Sequence, residues 1–187
     1  AGVEVRSAGK HELNLLCDNR PHQGLVLDAS PLAFSPLQAM PAASALPEGP
    51  PPVWLALDEV MDPQNFGACL RSAMFLGADG VVTCSRNSAP LSPAVSKASA
   101  GALERMDVHS CRSFPAFLQQ AADSGWDVLG TTLTAESVDF AAIAQVERPS
   151  ILVVGNEGRG LRPLVERACT RLVRIGGAGG QPVARDG

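Results

Sequence analysis

No apolar run in the 187 residues approaches the ~20 needed for a helix to cross a bilayer, so a helical membrane anchor is not among the readings. No Cys-x-x-Cys spacing occurs either. The five cysteines, at 17, 69, 84, 111 and 169, are scattered and odd in number, which indicates neither a zinc site nor a disulfide framework. Cys69 and Cys169 fall inside expected helices and read as core, and reduced thiols suit a cytosolic or organelle-matrix setting. There is no Gly-Lys-Ser/Thr, which excludes a P-loop. Net positive charge is lacking too. At −4 the chain is not a generally basic nucleic-acid binder. The charge is uneven, however: residues 151–187 carry six arginines against Glu157, Glu166 and Asp186, a local +3, which leaves −7 for the remainder. That excess fits either a basic face or an ordinary solvated helix face.

What is present centres on residues 151–175. Ile151 to Val154 are apolar and read as a short buried strand. Gly155 ends it, and Gly158 and Gly160 let the backbone come close to a ligand, since glycine has no side chain in the way. An Arg-bearing helix is expected from about Leu161, and a further strand over Leu172–Ile175. A strand that delivers a Gly-rich turn and then a helix is where open α/β sheets bind nucleotide-like ligands. The order here is Gly-x-x-Gly-x-Gly with Glu157 inside it, not the dinucleotide order Gly-x-Gly-x-x-Gly, and the acid would oppose a pyrophosphate. A glycine turn without a ligand stays open on this stretch alone.

Residues 1–28 look like the end of another domain, with short strands at Val3–Val5 and Gly24–Leu27, a helical turn over His11–Cys17, and His22-Gln23-Gly24 as either a turn or a ligand loop. Seven of the fifteen prolines lie between 31 and 52, so residues 29–52 read as an extended linker without helix or sheet of its own. From Val53 the pattern alternates. Strands are expected at 53–57, 80–83, 106–108 and 127–131, and helices at about 63–76, 92–103, 113–124 and 138–144. Alternation of this kind implies parallel β-α-β units, an α/β fold with a mostly parallel sheet flanked by helices.

The first of those helices carries the second motif, Leu57-Asp58 to Gly80. Asp62 is a good N-cap, Pro63 suits the first helical position, and Gly77 suits the end. Phe66, Leu70, Ala73 and Gly77 share one face. Asn65 lies in the first turn, while Arg71 points off the apolar stripe, a position that suits a ligand contact or a solvated cation. In a third stretch, 87–104, Lys97 precedes the small residues Ala98–Ala102 and reads equally as a phosphate contact or a surface lysine.

These stretches together resemble the SpoU (TrmH-like) family of RNA ribose 2′-O-methyltransferases, over about residues 53–175. One family motif resembles Leu57-Asp58, Asp62-Pro63-x-Asn65-x-Gly67 and Arg71-x-Ala73; the other resembles Val154-Gly155-Asn156-Glu157-Gly158-x-Gly160-Leu161. The run from Asn87 to Ala102, with His22-Gln23-Gly24 upstream, is most similar to the branch acting on guanosine of mitochondrial large-subunit rRNA. The resemblance implies an S-adenosylmethionine site in a SPOUT-type trefoil knot, a homodimer, an RNA substrate, a mitochondrial-matrix setting, and neither metal nor membrane. It implies donor contacts at Thr131, Gly155, Gly158 and Ile175, a catalytic set of Asn65, Arg71 and Glu157, and RNA contacts at Arg71, Lys97 and Arg159.

The family's usual proton acceptor matches Arg71. A guanidinium with a pKa above about 12 is a poor base, which favours Arg71 as a phosphate clamp that orients the ribose. The three histidines, 11, 22 and 109, lie outside the expected site. The chain departs from the family after Ile175, where a Gly-rich tail, 176–187, stands in place of the third motif and reads as disordered. The expectation is a C-terminally truncated methyltransferase domain at 53–175, possessing the fold and either active or reduced to a non-catalytic RNA-binding or dimerisation fragment.

Overall fold

The turn from Leu57 into the following helix sets up the fold. In a computed structural model, which describes residues 2–143 and 146–176, strand β2, Val53–Leu57, runs into helix α2, Pro63–Leu76. Asp62 caps α2 by accepting from the Asn65 backbone N–H at 3.0 Å, and Gly77 ends it in the left-handed region at φ 75°. The 176–187 tail lies outside the described residues from Gly177 onward.

The chain divides into two compact units, residues 1–31 and 32–187. In the first, helix α1 spans Lys10–Leu16. Val3–Val5 and Gly24–Leu27 are not strands; they are largely exposed coil. His22-Gln23-Gly24 is a turn. Gly24 stands at φ 80°, its N–H donates to His22 Nδ1, and His22 Nε2 pairs with Asn14 Oδ1 at 3.0 Å.

The second unit is built on an eight-stranded sheet. Besides β2 it contains β1 (Ser35–Pro36), β3 (Gly80–Cys84), β4 (Val108–Cys111), β5 (Asp127–Thr131), β6 (Val138–Asp139), β7 (Ser150–Val154) and β8 (Arg171–Arg174). The order is β1-β4-β3-β2-β7-β5-β8-β6 and every pairing is parallel. All strands therefore end at one edge, and the order forks between β2 and β7. Helices α4 (Phe114–Asp123) and α5 (Pro163–Ala168) bury Phe114, Phe117, Leu118 and Val165 on one face with Val82, Ile151 and Val153. On the other face α2 and α3 (Pro93–Ser99) bury Phe66, Leu70 and Val95 with Leu57 and Val81.

Several boundaries differ from expectation. Helix α3 stops at Ser99 because Ala100 and Gly101 both turn left-handed, at φ 51° and 89°, and β4 begins correspondingly later. The helix expected at 138–144 is instead the short β6 and a 3-10 turn over Phe140–Ala142. The helix after the glycine turn starts at Pro163, and Cys169 lies just beyond its end, half-buried. The proline-rich stretch is not a free linker. Ser35–Pro36 form the edge strand β1, where proline's missing donor does least harm. Met40 is buried against α4, with its N–H and C=O both bound by the Gln120 amide, and Trp126 Nε1 donates to Pro41 O at 2.8 Å.

Gly67 is where α2 and α3 meet. A Cβ built there would lie 2.5 Å from the Ala98 Cβ and 2.9 Å from the Ser99 N and Val95 O. Two of these are backbone atoms and cannot swing away. Gly67→Ala gains about 1 kcal/mol of helix propensity but overpacks a contact worth about 1–3 kcal/mol. A net loss of stability is expected in thermal unfolding, and a midpoint at or above the parent's would contradict it.

Candidate functional site

The fork between β2 and β7 is where a parallel sheet leaves a crevice at its carboxyl edge. Val53–Leu57 pair with Ser150–Val154 in register, so their exit loops leave side by side. The β7 loop is a closed turn: Asn156 N–H donates to Gly160 O at 3.0 Å, and Gly160 N–H returns to Asn156 O at 2.8 Å. The Asn156 side chain ties it from inside. Its Oδ1 accepts from the N–H groups of Gly158 and Arg159, and its Nδ2 donates to Glu59 O across the crevice. Gly155 sits under this turn. A Cβ at Gly155 would lie 2.4 Å from the Gly160 carbonyl carbon and 2.6 Å from the Leu161 N, so only glycine fits.

Two acids at the end of β2 clamp the loops. Asp58 is fully buried and accepts from Arg162 three times, from the backbone N–H at 3.0 Å, from Nε at 2.8 Å and from Nη2 at 2.6 Å. That hydrogen bonding raises the Arg162 guanidinium above its ordinary value, with burial pulling the other way and the charges of Asp58 and Glu59 adding to the rise, so it stays charged. Glu59 is nearly buried, held at φ 55°, and accepts from Asn87 Nδ2 at 2.9 Å, with Arg162 and Arg159 each at 3.5 Å. Positive φ in a non-glycine residue is sparsely populated and persists only where its surroundings impose it.

Asn65 and Glu157, far apart in sequence, meet at the mouth: Asn65 Nδ2 donates to Glu157 Oε1 at 2.8 Å. Two grooves join there, sharing Leu152, Val154, Gly155 and Glu157. One, about 470 Å³, is walled by Thr131, Leu133, Phe140, Val173 and Ile175 and opens beside Arg159. The other, about 780 Å³, runs along α2 past Cys69, Ser72 and Leu76 to Trp54. Burial, and secondarily the Glu157 charge, pushes the Cys69 thiol up. Burial pushes Cys111 and Cys169 up to about 12, so these thiols are unreactive packing.

The expected site residues separate into groups. Thr131, Gly155 and Ile175 share the smaller groove, with Arg159 at its rim. Gly158 does not line it; its N–H is spent within the turn. Asn65 and Glu157 are joined. Arg71 follows Asn65 on α2 by about 9 Å along the axis and about 240° around it; it is exposed and lines neither groove. Lys97, on α3, is exposed. Among the described residues neither cation has a hydrogen bond or ion pair. The clamp of Glu59, Asn87, Asn156 and Arg162 was missed. Its one sequence signal is the acidic pair Asp58-Glu59 after a strand. Among the described residues no His, Cys, Asp and Glu cluster could hold a metal, and no helix is long and apolar enough to cross a membrane.

Residues 52–182 match the SpoU rRNA Methylase family. The chain is 43% identical to the human protein named rRNA methyltransferase 1, mitochondrial, over 92% of this chain and 51% of that one. It is 35% identical to the Dictyostelium discoideum protein of the same name, over 94% of this chain and 38% of that one. It thus spans about half, or less, of the length of these relatives. Among solved structures, an AdoMet-bound rRNA methyltransferase from Sinorhizobium meliloti superposes with a TM-score of 0.64 at 29% identity, over 80% of this chain and 55% of that one. A TrmH-family protein from Porphyromonas gingivalis gives 0.62 at 32% identity, over 76% and 56%.

Proposed function

The chain belongs to the SpoU rRNA methylase family, and on that premise we propose that it carries the methyl-donor site and catalytic groups of an S-adenosylmethionine-dependent rRNA ribose 2′-O-methyltransferase. Guanosine of the mitochondrial large-subunit rRNA is the proposed substrate, and the mitochondrial matrix the proposed location. The observation that carries this is the junction of the two grooves at the Asn65–Glu157 hydrogen bond.

The smaller groove suits the donor. At about 470 Å³ it is of small-molecule size, its walls are mainly apolar, and part of its lining is Gly155, whose lack of a side chain lets the closing turn pack against it. Thr131, Gly155 and Ile175 would hold S-adenosylmethionine there. When bound, it supplies a methyl group on a sulfonium cation. The protein's share is positioning and removal of a proton. Glu157 is placed at the groove mouth to accept the ribose hydroxyl proton, and Asn65 sets the direction of its carboxylate. The clamp through Asp58 and Arg162 fixes the turn that carries Glu157, so alignment is prepaid. Arg71, with Lys97 and Arg159, serves as a phosphate contact that orients the ribose.

The larger groove supports a homodimer. Its α2 wall ends at Leu76, and Leu76 and neighbouring Phe75 are 79% and 86% exposed, an apolar surface suited to a second copy.

Donor binding by this chain, followed calorimetrically, and methyl transfer to guanosine-containing rRNA fragments test the proposal. Absence of donor binding would end it. Arg71→Lys keeps the charge but loses the two-pronged fork. It is expected to remove most transfer activity while leaving donor affinity intact; near-parental turnover would take Arg71 off the list.

A further inference from the structure

Because all strands are parallel, the exits of β4, β3, β2 and β7 follow one another along the carboxyl edge. Two exposed arginines stand at the far end of that row. Arg86 is the second residue after β3 and Arg112 the first after β4. The strands stay paired to their ends, with Cys84 opposite Cys111 and the Ser85 N–H donating to Cys111 O at 2.9 Å. The two arginines therefore follow neighbouring strands, which lie about 4.8 Å apart. Arg159 leaves β7, three strand spacings or about 14 Å from β4.

The Arg86 loop is tied to the proposed site. Its next residue, Asn87, stands at φ 58° and donates to Glu59, the carboxylate that pairs with Arg159. Between the β4 and β7 exits the acids are all engaged. Asp58 and Glu59 are buried in the clamp, Asp62 caps α2, and Glu157 binds Asn65. Arg86 and Arg112 have no hydrogen bond or ion pair among the described residues. Solvent at the β3 and β4 exits thus meets two exposed guanidinium groups with no carboxylate bound to them among the described residues, while the exposed acids of this edge, Asp62 and Glu157, stand at the β2 and β7 exits. A flexible polyanion is the ligand that such a row fits, since guanidinium forks match phosphate and backbone contacts need no base sequence.

We propose that Arg86 and Arg112 form a phosphate track that holds RNA flanking the methylated nucleotide. It rests on the RNA-methyltransferase reading above and extends its contacts away from the donor groove across two further strands.

The test uses this chain and a labelled mixed-sequence single-stranded RNA of about 20 nucleotides, long enough to exceed one binding site. Affinity is measured across a salt series, with donor affinity measured on the same samples. Arg86→Ala/Arg112→Ala should weaken RNA binding about tenfold at low salt. It should lower the slope of log affinity against log salt by about 1.4, two phosphate contacts on a single strand. Donor affinity should not move. Arg86→Lys/Arg112→Lys should restore most of the slope. Arg148→Ala, an exposed arginine before β7 on the opposite edge, should leave both unchanged. An unaltered slope in the double alanine variant, or an equal loss in Arg148→Ala, overturns the track alone. Donor binding without any salt-dependent RNA binding by the parent overturns the track and the RNA substrate together. A parent that binds neither ligand overturns the whole methyltransferase reading.

Discussion

Replacing Gly155 with alanine is expected to reduce methyl-donor affinity by about a hundredfold or more, with transfer activity falling at least as far. The added carbon would meet the Gly160 carbonyl at 2.4–2.5 Å and the Leu161 N at 2.6 Å. These are backbone atoms of the turn closed by the Asn156 and Gly160 hydrogen bonds, so relief requires that the turn open or shift. Gly155 and Gly160 both line the smaller groove, and Glu157 is carried between them, so any such shift displaces donor walls and the carboxylate together. Gly155 lies just past the end of β7, outside the hydrogen-bonded ladder, so the sheet should survive. Circular dichroism and a donor titration on one sample separate the two effects. A folded Gly155→Ala chain that binds the donor like the parent would show that the turn does not shape the site.

The second large effect is on stability. Among the described residues, Arg162→Ala leaves Asp58, which has no solvent exposure, with only a backbone N–H from residue 162. Removing one partner of a buried ion pair costs about 3–5 kcal/mol, which for a chain of this size lowers the unfolding midpoint by about 6–20 °C. Asp58→Ala should cost less, about 1–3 kcal/mol. The Arg162 side chain is 34% exposed, can turn to water, and keeps Glu59 at 3.5 Å. The double variant should be less destabilised than the sum of the two, because the orphaned charge is then gone. Equal losses from the two single changes would mean that Asp58 has another way to be solvated.

The ends of α2 were legible in the sequence because each is set by a local residue, Asp62 with Pro63 at one end and Gly77 at the other. The strand-helix alternation likewise followed from local composition, and with it the parallel class of the sheet. Edge strands were not legible. Ser35–Pro36 and Val138–Asp139 are two residues each and are strands only because a neighbouring strand holds them, which no local pattern records. The end of α3 was missed because Ala100 is a strong helix former, and nothing in its identity signals the left-handed conformation it adopts. At the site, the glycine turn and its acid could be read, and family resemblance supplied Asn65. The Glu59 clamp could not be read, since a glutamate and an asparagine at positive φ look ordinary in sequence.

The β2–β7 seam has a kinetic consequence. The contacts that define the site join residues 92 apart, Asn65 with Glu157, and 104 apart, Asp58 with Arg162. Closing such long loops delays the pairing that rewards it, so topologies of this kind fold slowly. During synthesis β2 and α2 leave the ribosome long before their partners exist. For that interval one side of β2, with Leu55 and Ala56, is an unpaired apolar edge. The crevice is therefore among the last parts of the molecule to mature, and a nascent chain halted before residue 150 would expose the strand that later forms its wall.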